Sequence, residues 1–199
     1  MRTNRPLPIG DRFTVFPSSG GRNPVDPQGR IPLYLGPGRA FGSGEHETTA
    51  SCLEELAGIA LKPSWRVLDL GSGTGILAVA AAKLGAREIV AVDPDADAVE
   101  TTLKNVRLNG VEKTVTVIQG DVSAVADHRF NLVLANIHGD ILIPVARDLS
   151  VLLERGGTLI LSGVHYDFAY EVKAAYENQG LSLSKARALE NYCTFRFVR

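Results

Sequence analysis

A chain of 199 residues with a net charge of −1 is long enough for one sizeable α/β domain or two small ones, and it can bury roughly 70% of its unfolded surface. Hydrophobic residues make up 45% and charged residues 22%, which excludes disordered and fibrous classes. A near-neutral balance leaves no global field to hold a phosphate backbone or anionic lipid, so neither a strong nucleic-acid footprint nor a membrane partner is expected.

The N-terminus has no hydrophobic signal core, and no apolar run approaches the roughly 18–20 residues of a membrane span. Cys52 and Cys193 belong to no CxxC pair, so neither a disulfide framework nor a metal site is expected, and a cytoplasmic location fits.

Charge and composition are uneven along the chain. Residues 1–40 hold Arg2, Arg5, Arg12, Arg22, Arg30 and Arg39 against Asp11 and Asp26. The same stretch holds seven of the ten prolines and six glycines, a density that forbids long helices. Residues 1–45 are therefore expected to be an irregular basic lead-in, with a solvated tail as the default reading, and residues 46–199 the main domain. The apolar stretches Phe13 to Phe16 and Ile31 to Leu35 are candidates for edge strands or for packing on the domain behind them.

From Glu47 onward, helical and strand periods alternate, the signature of a parallel sheet covered by helices. Helices are expected at 47–60, 76–84, 95–109, 140–154 and 166–179. Strands are expected at 66–71, 88–93, 114–120, 130–136 and 156–163. The tail, LSLSKARALE followed by NYCTFRFVR, is expected to form an antiparallel hairpin turning near Glu190 and Asn191. Seven strands result, most of them parallel.

The segment V-L-D-L-G-S-G-T-G (67–75) places Gly71, Gly73 and Gly75 between the first strand of the sheet and a long helix. A loop without side chains at a helix N-terminus lets a ligand approach the backbone. Asp93 ends the next strand, where a carboxylate can accept both hydroxyls of a ribose. The spacing is G-x-G-x-G rather than the dinucleotide pattern G-x-G-x-x-G, which suits a nucleoside ligand without pyrophosphate. With no Tyr-x-x-x-Lys pair, a nicotinamide-dependent oxidoreductase is disfavoured. Asn136 ends the fourth strand at the same edge, with both an acceptor and a donor to orient a nucleophile.

These features resemble class I S-adenosylmethionine-dependent methyltransferases, with a Rossmann-like fold carrying helices on both faces of the sheet. Together with A-F-G-S-G-E-H-E-T-T (40–49), A-V-D-P-D and A-N-I, they are similar to the ribosomal protein L11 methyltransferase (PrmA) family over residues 10–199. The resemblance implies S-adenosyl-L-methionine as methyl donor and S-adenosyl-L-homocysteine as product. It places Asp69, Gly71, Gly73 and Gly75 along the methionine part, Asp93 at the ribose, and Thr49 and Asn136 in contact with the donor. Asp121 corresponds to a position beside the adenine, though a capping role in its turn is equally open. Family members also carry an N-terminal substrate-recognition domain, and this chain starts near the linker. A natural short form is expected slightly ahead of a truncated one, since the chain starts with Met1.

The expected chemistry is N-methylation of a protein amine, with a ribosomal protein as a candidate substrate and Asn136 as the catalytic acceptor. Small-molecule amines, RNA, and a non-catalytic cofactor-binding relative are the alternatives. His46 and His138 are accessory candidates for proton relay, and Phe41 for covering the cofactor. Oligomeric state is not legible.

Overall fold

In the computed structural model, which describes residues 5–18, 24–38 and 40–199, the apolar strands after residue 65 assemble into a seven-stranded sheet. The lead-in contributes β1 (Leu7–Ile9), β2 (Phe13–Pro17) and β3 (Ile31–Leu35). Then follow α1 (Glu47–Ala57), β4 (Arg66–Leu70), α2 (Ile76–Lys83), β5 (Glu88–Asp93), α3 (Ala96–Leu108), β6 (Val115–Gln119) and β7 (Phe130–Asn136). The chain ends with α4 (Gly139–Leu142), α5 (Ala146–Leu152), β8 (Leu153–His165), α6 (Tyr166–Glu177), β9 (Ser182–Ala188) and β10 (Tyr192–Val198). A short 3-10 helix, Val122–Val125, lies between β6 and β7.

The strand order is β6-β5-β4-β7-β8-β10-β9. Strands β4 to β8 pair in parallel, and β10 runs antiparallel to both β8 and β9. Alternation along each strand sorts its side chains to two cores. Val67, Ile89, Ala91, Leu132, Leu134 and Ile160 face α1, α2 and the lead-in. Leu68, Val90, Val92, Val133, Leu159 and Leu161 face the second layer, with Val172 and Tyr176 of α6.

Two expectations are corrected. The single helix expected over 140–154 is broken into α4 and α5. Pro144 stands between them, lacking an N–H and crowding the carbonyl four residues back. The following strand starts at Leu153 rather than 156, so Leu153 and Glu154 belong to the sheet.

The lead-in also differs from an irregular tail where it is described. β1, β2 and β3 form a separate three-stranded sheet, and Ile9, Phe13, Val15, Leu33 and Leu35 join the same core as α1 and α2. The prolines are compatible because Pro8 and Pro32 fall on its two edge strands, where a missing N–H is tolerated, and Pro17 is the last residue of the central β2. Asn109, the residue that caps the C-terminus of α3, spans the gap, its Oδ1 accepting from Tyr34 N–H at 2.9 Å and its Nδ2 donating to the Tyr34 carbonyl at 2.7 Å. Of the expected basic cluster, Arg2, Arg22 and Arg39 lie outside the described residues. No helix among the described residues is long and apolar enough to cross a membrane.

Phe13 is fully buried, so Phe13→Ala is expected to lower unfolding free energy by roughly 3–5 kcal/mol in urea titration. A loss below about 1 kcal/mol would show that the small sheet unfolds apart from the main core.

Candidate functional site

A cleft of about 430 Å³ opens at the carboxyl edge of the sheet, where β4 is flanked by β5 on one side and β7 on the other. Chain direction reverses its lateral progress there, which leaves a crevice between the loops. Gly71 and Gly73 after β4, Asp93 ending β5, Asn136 ending β7 and Gly163 near the end of β8 all line it.

Two glycines shape the floor. Gly71 has φ +72, and a Cβ there would sit 2.2 Å from Ile137 Cγ2. Gly73 has φ +56, and its Cβ would meet the Phe41 carbonyl oxygen at 2.4 Å. Both the left-handed backbone and the close approach require glycine. Gly73 N–H donates to Asp93 Oδ2 at 2.8 Å, and Asp95 N–H donates to Asp93 Oδ1 at 3.0 Å. The Asp93 carboxylate is thus aimed by backbone donors, is nearly buried at the cleft, and retains lone pairs for a ligand's hydroxyls.

Not every expected residue reaches the cleft. Asp69 alternates with Leu68 and Leu70 along β4, which turns it under α2, where its Oδ2 accepts from Ala78 N–H at 3.0 Å. It is 1% exposed. Burial, reinforced by the Asp93 charge and opposed by the Ala78 bond, pushes its pKa up to about 7. Gly75 caps α2 and packs on Thr102, and it is absent from the cleft wall. Asp121 caps the 3-10 helix, its Oδ1 accepting from Ser123 N–H and hydroxyl at 2.9 and 2.6 Å. The Ser123 hydroxyl holds its carboxyl below the usual range.

Asn136 Nδ2 donates to Thr49 Oγ1 at 3.1 Å. Its Oδ1 is buried with no protein partner, and it points toward Gly163, where a Cβ would stand only 3.2 Å away. A buried acceptor left unpaired is costly, and here it lies in a wall of the cleft. Thr49 is buried and bonded to Asn136, whereas Thr48 lines the cleft.

The opposite wall is aromatic. Thr74 N–H donates to the Phe41 carbonyl at 2.9 Å, which holds the segment around Phe41 on the glycine loop. The Phe41 ring lies edge-on to His46 at 5.2 Å, and His46 lies edge-on to Tyr192 at 5.2 Å. His46 also caps α1, its Nδ1 2.8 Å from Thr48 Oγ1. His138 lines the cleft and its side chain makes no cap on α4. Sequence reasoning missed Tyr192, Gly163 and Ile141, all of which line the cleft. Tyr192 stands in no motif; it arrives because Glu47 of α1 accepts from the hairpin's Glu190 and Asn191 N–H groups at 2.7 and 3.1 Å.

A family model described as ribosomal protein L11 methyltransferase (PrmA) matches residues 1–199. A curated ribosomal protein L11 methyltransferase of Desulforamulus reducens is 39% identical over 183 residues, covering 92% of this chain and 58% of the relative. The chain therefore spans less than two thirds of that relative's length. A crystal structure of a ribosomal protein L11 methylase from Lactobacillus delbrueckii subsp. bulgaricus matches with TM-score 0.88 and 27% identity, covering 98% of both chains. An RNA methyltransferase from Salinibacter ruber, solved in complex with S-adenosyl-L-homocysteine, matches with TM-score 0.59 and 20% identity over 74% of this chain and 90% of that one. That last likeness shows the fold alone.

The raised pKa of Asp69 has a stability consequence. Because it is raised from 3.8 to about 7, the folded chain holds a proton that the unfolded chain releases, and stability falls as pH climbs through that window. Asp69→Asn keeps an acceptor for Ala78 N–H and removes the ionisation. Thermal melts are expected to show the variant more stable at pH 8 by on the order of 3 kcal/mol, with the gap narrowing toward pH 5. A variant less stable at pH 8 would mean that the fold needs the charge.

Proposed function

We propose that this chain, which belongs to the ribosomal protein L11 methyltransferase (PrmA) family, binds S-adenosyl-L-methionine in the cleft and methylates an amine nitrogen of a polypeptide, with a ribosomal protein as the natural acceptor. The observation that carries the reading is the convergence on one cleft of a side-chain-free loop, an aimed carboxylate and an unpaired amide oxygen.

The residues present fit such a ligand. A volume of about 430 Å³ falls in the roughly 300–1,000 Å³ range of small-molecule sites, and any Cβ at Gly71 or Gly73 would be driven into neighbouring chain. Gly71 and Gly73 would hold the donor close to the backbone, and Asp93 would accept its ribose hydroxyls. When bound, the donor supplies a methyl group activated by a sulfonium.

The chain's own task is then positioning, the main source of rate in a transfer between two bound groups. A neutral amine needs its lone pair free while its N–H groups are held. Asn136 lines the cleft and is the residue to accept one of those N–H groups, through its backbone carbonyl or the Oδ1 that the protein leaves unpaired, while the bond from Nδ2 to Thr49 fixes the amide. Phe41, Ile141 and Tyr192 supply apolar and aromatic surface along which the stem of the amine would lie. His138, exposed at the mouth, is placed to take up the proton that the product amine releases.

Calorimetric titration with S-adenosyl-L-homocysteine is expected to give micromolar binding, with NADH giving none. Asp93→Ala is expected to weaken it by about 1.5–3 kcal/mol, the worth of a charge-assisted hydrogen bond. Unchanged affinity in the variant would remove the ribose assignment. Asn136→Ala is expected to lower methyl transfer to a ribosomal protein acceptor far more than it lowers S-adenosyl-L-homocysteine affinity; equal losses would reduce Asn136 to a donor-binding residue.

A further inference from the structure

The mouth of the cleft has a charge distribution that goes beyond Asp93, the one carboxylate assigned to the methyl donor. Among the described residues, five segments line the cleft or pack on residues that do: 40–48, 93–98, 136–142, 163–171 and 189–192. Together they hold nine carboxylates and neither Lys nor Arg. The rest of the chain carries all 21 Lys and Arg and 13 of the 22 carboxylates. The segregation is hidden in a net charge of −1.

The same segments expose apolar surface. Of the seven exposed large hydrophobic residues among those described, Phe41, Ile141, Tyr166, Phe168 and Tyr170 fall within them, Tyr170 at 79% exposure. The surface is built rather than frayed. Phe168 packs against Gly139 at the start of α4, where a Cβ would lie 2.6 Å from Phe168 Cβ. His165 lies edge-on to Tyr192 at 5.7 Å, and the Tyr166 hydroxyl donates to the Leu189 carbonyl. The start of α6 is thereby fastened to both sides of the mouth. Tyr166, Asp167, Tyr170 and Glu171 follow at the i, i+1, i+4, i+5 spacing that shares one helix face.

We propose that this acidic, aromatic rim docks a lysine-bearing polypeptide segment, gripping cations that flank the amine inserted in the cleft. Lysine suits both features: its ammonium is attracted to carboxylates and to aromatic faces, and its apolar stem lies along exposed rings. An RNA partner is disfavoured by the same charges, since phosphates would meet a ring of carboxylates. The biological meaning rests on the amine-methylation reading, but the docking itself is measurable without it.

The probe is a short fluorescent peptide of alternating Lys and Ala, followed by anisotropy, with a Glu/Ala peptide and a single-stranded RNA of equal length in parallel. The full chain is expected to bind the Lys/Ala peptide, more weakly as salt rises, and to bind neither competitor. Replacing Asp140→Asn, Glu171→Gln and Glu190→Gln together is expected to weaken binding by roughly fivefold or more, and Tyr170→Ala by roughly threefold. As a control, Glu112→Gln, Asp127→Asn and Glu154→Gln remove three exposed carboxylates elsewhere and are expected to leave binding unchanged. No peptide binding, equal loss in the control, or tighter binding of RNA overturns the proposal. Titration of S-adenosyl-L-homocysteine into the same samples separates the two readings. Absence of peptide binding by a chain that still takes up S-adenosyl-L-homocysteine overturns the rim alone. Peptide binding retained without product binding upholds the rim and overturns methyl transfer.

Discussion

Three missing β-carbons hold the site together. Gly71, Gly73 and Gly75 follow β4 in a loop that three other parts of the chain press against: Ile137 after β7, the Phe41 carbonyl of the lead-in, and Thr102 of α3. Van der Waals contact at each of these points leaves no room for a side chain, so the loop is where the sheet edge, the N-terminal segment and the flanking helix are brought into register. The ligand-facing surface is consequently bare backbone, and donors such as Gly73 N–H are free to aim Asp93.

Buried amides extend that junction outward. Asn105 of α3 is 1% exposed, donating to the Thr74 carbonyl and accepting from Gly36 N–H, both at 2.8 Å. It ties the glycine loop to the small N-terminal sheet with both its polar ends satisfied, as a buried amide must be. Asn136 is the counterexample. One end is tied to Thr49 and the other is buried without a protein partner, a departure from full pairing of the kind that marks functional sites. On the far side, Glu47 and the ion pairs Lys185–Glu55 and Arg187–Glu54 bind α1 to the C-terminal hairpin. The hairpin therefore contributes Tyr192 to the cleft although most of its length serves the sheet.

Much of this was legible from local pattern. Alternating apolar runs located the strands, and Asn109-Gly110 and the turn at Glu190 and Asn191 located chain reversals, because period and turn chemistry are properties of adjacent residues. The glycine loop, Asp93 and Asn136 were legible for the same reason: each sits at the end of a strand whose register is set by its own hydrophobic alternation. Asp69 was read as lining the cleft, yet strand parity turns it under α2; the alternation with Leu68 and Leu70 carried that signal. Pro144 likewise carried the break between α4 and α5.

By itself, then, the sequence determined the order of elements, the sheet's parallel character and the backbone-exposed loop with its acidic neighbour, since these follow from spacing within a few residues. Only the tertiary structure decided that the Pro-rich lead-in packs into the core, that Thr48 rather than Thr49 faces the cleft, and that Tyr192 joins its wall. It also decided that five segments distant in sequence meet around one cleft. Those outcomes depend on contacts between residues as far apart as Glu47 and Asn191, and no local period encodes which distant surfaces meet once each element buries its apolar face.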